Sequence, residues 1–229
     1  MTDLRAFIET VRTKRAADVV DVEREVQPRH ETAAIVTKLE TRGRSPMLLF
    51  RNVAGCEHTV VTNVCGSMGR LAMALGCSIR DVATTFGARS EVPKAPVVVP
   101  SAEAPCQQVV KQGDDIDLGI LPRLVYHLDD AEEPYITAAI VLARDPETGK
   151  TNLSYHRMMI AGRDRTGILM EKGRHLDGIF QKYVARGEDM PVAVIIGVHP
   201  LVSLGSLYSG AADVEEYDVI GGLMEQSLP

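Results

Sequence analysis

A stretch near the middle limits how this chain can fold more than any other. Between Glu91 and Pro134, the prolines Pro93, Pro96, Pro100, Pro105, Pro122 and Pro134 recur at short intervals. Each removes a backbone donor and fixes φ, so neither a helix nor a central strand can run through the segment. The acidic run "GDDIDLG" adds charge without apolar periodicity. Regular structure must therefore lie on either side, and a linker or domain seam is expected here. The 229 residues are enough for one large domain or two small ones. We place an N-terminal α/β unit at residues 1–118 and a second unit at residues 119–229.

Before the seam, helical and strand periods alternate. Leu4, Phe7, Ile8 and Val11 are spaced for one helix face behind Thr2 as a candidate cap. A strand "VVDVEREV" follows, then a helix "ETAAIVTKLETRG" ended by Gly43. Next come strands "PMLLFRNV" and "HTVVTNVCG" and helices "SMGRLAMALG" and "SIRDVATTFG", each helix closed by its glycine. After the seam, "YITAAIVLARD", "LSYHRMMIAG" and a segment around "RTGILM" read as strands. The connection "DPETGK" suits a hairpin and so an antiparallel meander. A helix from about Arg174 to Ala185, a buried strand "PVAVIIGV", a Gly/Ser-rich stretch "SLGSLYSGAA" and a last helix "EEYDVIGGLMEQ" complete an α+β chain.

Composition excludes several classes of function. A net charge of −6 without a Lys/Arg run argues against nucleic acid. No apolar run approaches the ~18 residues of a membrane span. The charged start "MTDLRAFIET" does not fit a signal peptide, and the 4 cysteines form no CxxC pair, so reduced thiols and a cytoplasmic location are expected. A small-molecule partner is the remaining class.

The chemistry concentrates in "TNLSYHRMMIAGRDRTGILMEKGRH". Strand alternation puts Asn152 and Ser154 on one face and Arg157 on the other, unless a bulge intervenes. His175 begins a helix and Glu225 lies on the last one. An amide oxygen, an imidazole and a carboxylate form a mostly hard donor set suited to Mn²⁺ or Mg²⁺. Each residue also has an ordinary structural role, and spacing does not choose between the two. Arg157 needs a partner, either a carboxylate such as Asp164 or an anionic substrate. His156 faces away from Arg157, in a core or surface role. His30, His58, His127 and His199 sit near element ends without metal-binding spacing. The small residues around Tyr208 in "SLGSLYSG" would let a backbone approach a flat or phosphorylated ligand, but the order of a dinucleotide or P-loop motif is missing.

Taken together, "NVCGSMGRLAMALG", "DDAEEPYITAAIVLARDPETGKTNLSYHRMMI", "EKGRH" and "EYDVIGGLMEQSLP" resemble the UbiD family of reversible decarboxylases that use prenylated FMN. The resemblance implies an N-terminal α/β domain followed by a truncated split β-barrel of FMN-binding type. It implies that Asn152, His175 and Glu225 hold a Mn²⁺ clamping the cofactor phosphate, with K⁺ close by. Thr137, Ser154, Tyr155, His156 and Arg157 would line the flavin, with Arg174 beside His175 as a further contact. Ser206, Leu207 and Tyr208 would wrap the cofactor and K⁺, and Arg157 would be the catalytic arginine. The implied partners are a carboxylic acid substrate, a flavin prenyltransferase that supplies the cofactor, and a further copy or partner chain.

One departure stands out. The family's arginine works with two glutamates that follow the metal-ligand glutamate, whereas Pro229 comes just after Glu225; Glu215 and Glu216 do not sit where those acids belong and are given no role. The chain therefore reads as the cofactor-binding part of a decarboxylase, expected not to turn over alone. Two other readings stand beside it: a non-catalytic flavin-binding or assembly subunit, and an FMN reductase on a split barrel that would need no metal. The "SYHR" run is nearer to members acting on hydroxybenzoate-type acids.

Overall fold

The computed structural model describes residues 3–130, 132–210 and 214–229. Helix α1 (Leu4–Lys14) starts at Asp3, whose carboxylate accepts from Ala6 N–H at 2.9 Å. The cap expected at Thr2 lies outside the described residues. The first sheet has the order β1-β2-β3, with β1 (Val19–Val22) parallel to β2 (Met47–Phe50) and β3 (Val60–Thr62) antiparallel to it. All of β2, "MLLF", is buried because both of its faces are covered. Met47 and Leu49 meet Phe7, Ile8 and Val11 of α1, while Leu48 and Phe50 meet Ile35, Val36 and Leu39 of α2 (Glu31–Glu40).

Helix α3 (Met68–Leu75) runs from the Ser67 cap to Gly76, whose φ of 66° provides the left-handed stop. Helix α4 (Val82–Ser90) corrects the expected stop at Gly87, because the helix passes through it. Gly87 has no positive φ and no neighbour within 4 Å of a would-be Cβ, so nothing halts the helix until the chain nears Pro93.

The second sheet has the order β6-β5-β4-β7, every pairing antiparallel, which is the expected meander. Strands β4 (Tyr135–Arg144) and β5 (Thr151–Ile160) join through a tight loop. There Asp145 accepts from the N–H groups of Glu147 and Thr148, and Gly149 adopts a φ of 73°. Ala139, Val141, Ala143 and Met158 face Leu176 and Ile179 of α5 (His175–Arg186). Ile140 and Leu153 face Ile220 of α7 (Glu216–Met224). Strand β6 (Thr166–Ile168) covers β5 only at Met158–Ile160. Strand β7 (Val192–Ile195) is not the buried strand its composition implied: among the described residues it pairs only with β4, at the sheet edge, and Val192, Ala193 and Val194 are exposed. Helices α6 (Pro200–Gly205) and α7 pack on α3 and α4, so the last core cluster joins residues from both sides of the proline-rich segment.

Candidate cofactor and metal site

The site is built where the start of β5 meets the start of α7. Glu216 is 5% exposed. One of its oxygens accepts from Asn152 Nδ2 at 2.9 Å and the other from Leu153 N–H at 3.0 Å. Glu215 accepts from both the N–H and the hydroxyl of Thr151, each at 2.6 Å. These contacts answer a backbone need. Further along the same edge, beyond the reach of β6, β5 would leave the N–H groups of Thr151 and Leu153 unpaired, and the two carboxylates take them. His175, the first residue of α5, lines the same pocket of about 370 Å³, together with Lys150, Lys182 and both glutamates.

Electrostatics mark this pocket out. Burial raises the pKa of Glu216, opposed by its backbone and Asn152 hydrogen bonds and by the nearby His175. Burial also pushes Glu215 upward, but the Thr151 hydrogen bonds, Lys150 and Arg144 outweigh it and leave the pKa below the usual range. Among the described residues, no Lys or Arg forms an ion pair with Glu216. A buried carboxylate that accepts from the Asn152 amide and Leu153 N–H, in a pocket that also holds the His175 imidazole, is suited to sharing its charge with a hard divalent cation, towards which the Asn152 amide would turn its oxygen. Among the described residues, no cluster of three or more His, Cys, Asp or Glu is close enough to hold a metal; here the third donor would be the Asn152 amide.

On the same β5 face, Ser154 Oγ lies 3.0 Å from His156 Nε2 and 3.3 Å from Asn152 Oδ1, and His156 Nδ1 lies 3.2 Å from Leu169 O. On the opposite face, Tyr155 donates to Ser203 Oγ at 2.9 Å, and burial raises its pKa. Arg157 follows on that face, exposed. The irregularity in pairing falls in β4, between Ile136 and Ala139, so Thr137 and Ala138 oppose Arg157. Thr137 Oγ1 lies 3.0 Å from Tyr126 OH.

Two family descriptions match the chain: a 3-octaprenyl-4-hydroxybenzoate carboxy-lyase N-terminal domain over residues 12–90, and the Rift-related domain of the same carboxy-lyase over residues 97–229. The chain belongs to the UbiD family. Anhydromevalonate phosphate decarboxylase of Methanothermobacter thermautotrophicus is 30% identical over 225 residues, which are 98% of this chain and 49% of that protein. The UbiD-class enzyme HmfF of Pelotomaculum thermopropionicum, in complex with FMN, superposes with a TM-score of 0.90 at 34% identity, covering 98% of this chain and 49% of its own. An evolved dimeric form of HmfF in complex with prFMN gives 0.90 at 33% identity, covering 98% and 51%. The chain thus spans about half the length of the relatives it matches.

Within this UbiD frame, the structure brings together Asn152 and His175 but not Glu225. Glu225 caps the far end of α7 with a φ of 57°, and its carboxylate pairs with Arg89 at 2.7 Å. Glu216, at the opposite end of α7, occupies the position by Asn152. The missed signal was a pair of acids at a helix start, separated by two residues from the Gly/Ser-rich stretch, where a helix N-terminus favours negative charge. Asp164, offered as a partner for Arg157, lies 3.4 Å from Arg165 instead. Arg174 is exposed beside His175 and pairs with Glu171. Ser206 is buried and its hydroxyl donates back to Val202 O at 2.8 Å, while Leu207 is exposed and Tyr208 packs on the α3–α6–α7 core.

Proposed function

We propose that this chain is the cofactor-binding part of a decarboxylase that uses prenylated FMN. Its substrate would be an aromatic, heteroaromatic or α,β-unsaturated carboxylic acid, and its place of action the cytoplasm. The observation that carries the reading is the meeting of Asn152, His175 and Glu216 in one pocket of a UbiD-family chain. These three residues would hold Mn²⁺, with Glu216 in the role first given to Glu225. K⁺ would lie near the main chain of Ser206, Leu207 and Tyr208. The cofactor, when bound, supplies an electron sink for loss of CO₂. The protein's own share is binding, orientation and exclusion of water. Lys150 and Lys182 line the pocket, Lys182 paired with Asp145 at 2.6 Å and Glu147 at 2.9 Å, so a bound cation beside Glu216 would supply the charge that a phosphate needs there. Ser154 and His156 share a β5 face with Asn152, where they would meet the flavin, and Thr137 stands opposite Arg157 across the bulge. Arg157, exposed and without a carboxylate partner among the described residues, is free to receive the substrate carboxylate.

The test is metal analysis and an absorbance spectrum on protein co-expressed with a flavin prenyltransferase. Manganese and flavin absorption are expected in the parent chain and in Glu225→Ala, and both lost in Glu216→Ala. Parent protein free of metal and flavin would overturn the reading. A non-catalytic assembly subunit is the second reading, favoured by the apolar surface exposed on β7. Such a subunit would retain cofactor yet release no CO₂ even after a chain supplying the rest of the family's length is added.

A further inference from the structure

Both site glutamates project from the start of α7, so whatever fixes α7 along its axis fixes their reach. Towards its other end, the backbone from the last turn of α4 to Lys94 lies in a notch made by Gly221 and Gly222. A Cβ on Gly222 would stand 2.5 Å from Arg89 O and 2.6 Å from Val92 O, and one on Gly221 would collide with Lys94 O. Hydrogen bonds hold this strap in place: Lys94 N–H donates to Asp218 O at 2.9 Å, and Val97 N–H to Leu228 O at 2.7 Å. Arg89 closes the arrangement. Its Nη1 donates to Leu75 O at 2.8 Å and Leu223 O at 3.2 Å, and its Nη2 pairs with Glu225 at 2.7 Å. One guanidinium thus ties together the C-terminal ends of α3 and α7. Gly205 of α6 leaves no room for a side chain against Ile220, so α7 is held on a second flank too.

We propose that Arg89 and the Gly221–Gly222 notch are positioning residues that set the depth of α7 and so place Glu215 and Glu216 on the edge of β5. Helix α7 has 9 residues and is too short to absorb a displacement by bending, so a shift at the notch is passed to its first turn. The hydrogen bonds at 2.6 and 3.0 Å at that turn tolerate only a few tenths of an ångström before they weaken. The importance of this placement for cofactor binding rests on the function proposed above; the seating of the helix does not. Glu225 thereby gains a role as the anchor at the other end of the same helix.

Amide hydrogen exchange followed by NMR on the full chain tests the proposal, because Thr151 and Leu153 N–H report directly on where α7 sits. In Gly222→Ala, and separately in Arg89→Lys, which keeps the charge but not the fork, these two amides are expected to exchange at least tenfold faster. Asn152 and Ser154, whose N–H groups alternate towards β4, should be unchanged. Protection of Thr151 and Leu153 at the parent level in both variants would overturn the proposal, and so would an equal loss along the whole of β5, which is general loosening. A Mn²⁺ titration by EPR separates the two layers of argument. At least tenfold weaker binding in Gly222→Ala, alongside loss in Glu216→Gln, supports both. Loss in Glu216→Gln with parental binding and exchange in Gly222→Ala overturns the positioning role alone. Parental binding in Glu216→Gln overturns the metal reading and leaves the exchange result to decide the positioning role.

Discussion

At the scale of single residues, His199 shows how burial fixes protonation. Its Nδ1 accepts from Leu201 N–H at 3.2 Å, capping α6, and its ring meets Phe7 edge-on with centroids 5.2 Å apart. The side chain is 4% exposed, and burial lowers its pKa to about 4, with Asp3 pulling weakly the other way. The folded pKa is below the ordinary 6.5, so the unfolded chain takes up the proton first. The contribution to stability is therefore complete above pH 6.5, declines as pH falls, and is exhausted near pH 4. At about 1.4 kcal/mol per pKa unit, the change amounts to roughly 3 kcal/mol. Urea midpoints measured across this window should slope downward with acid in the parent chain and much less in His199→Asn, which keeps an acceptor at the cap. Equal slopes in the two proteins would assign the acid sensitivity to other groups.

At the scale of elements, the turn between β3 and α3 depends on one buried cation. Arg70 is 1% exposed, and its guanidinium donates to Ser45 O and Asn63 O at 2.8 Å and to Val64 O at 3.2 Å, with Asp18 at 3.9 Å. Burial lowers its pKa and Asp18 raises it. Arg70→Met would take this donor from Ser45 O and Val64 O, while Asn63 O keeps Gly66 N–H at 3.0 Å, at a cost of about 3 kcal/mol, and Arg70→Lys, with one head group instead of a fork, should recover only part of it. Chemical denaturation measures this directly, and a Met variant as stable as the parent would contradict it. Such a role is invisible in sequence because the partners are backbone oxygens. The apolar periods of α1, β2, β4, β5 and α5 depend only on neighbours in the chain, and these elements were readable. Glu216 was not, because α7 carries a glutamate at each end and only its packing decides which one meets β5. Asn152 and His175, offered by resemblance, do line one pocket, since both sit near the start of an element whose boundaries the sequence marks. The misplaced stop at Gly87 and the misjudged burial of β7 have a common origin. Residue type states what a position tolerates, while helix ends and sheet edges are settled by tertiary neighbours.

At the scale of the whole molecule, the second sheet has an apolar edge. Val192 is 49% exposed, Val194 38% and Ile196 46%, on or beside a strand whose outer N–H and C=O groups have no strand partner among the described residues. Such an edge is a template for another strand, and water contact with these side chains disfavours the isolated chain. The 229 residues should therefore self-associate in a concentration-dependent manner or bind a partner chain there. A lysine at the edge blocks pairing through its charge, whereas replacing an exposed valine alters folding stability by only about 0.5 kcal/mol. The double variant Val192→Lys with Val194→Lys should thus sediment as a single smaller species at concentrations where the parent chain associates, while its melting temperature stays close to that of the parent. If both proteins associate equally, the contact lies elsewhere, and the exposed edge of β7 is then tolerated by the isolated chain and not used by it.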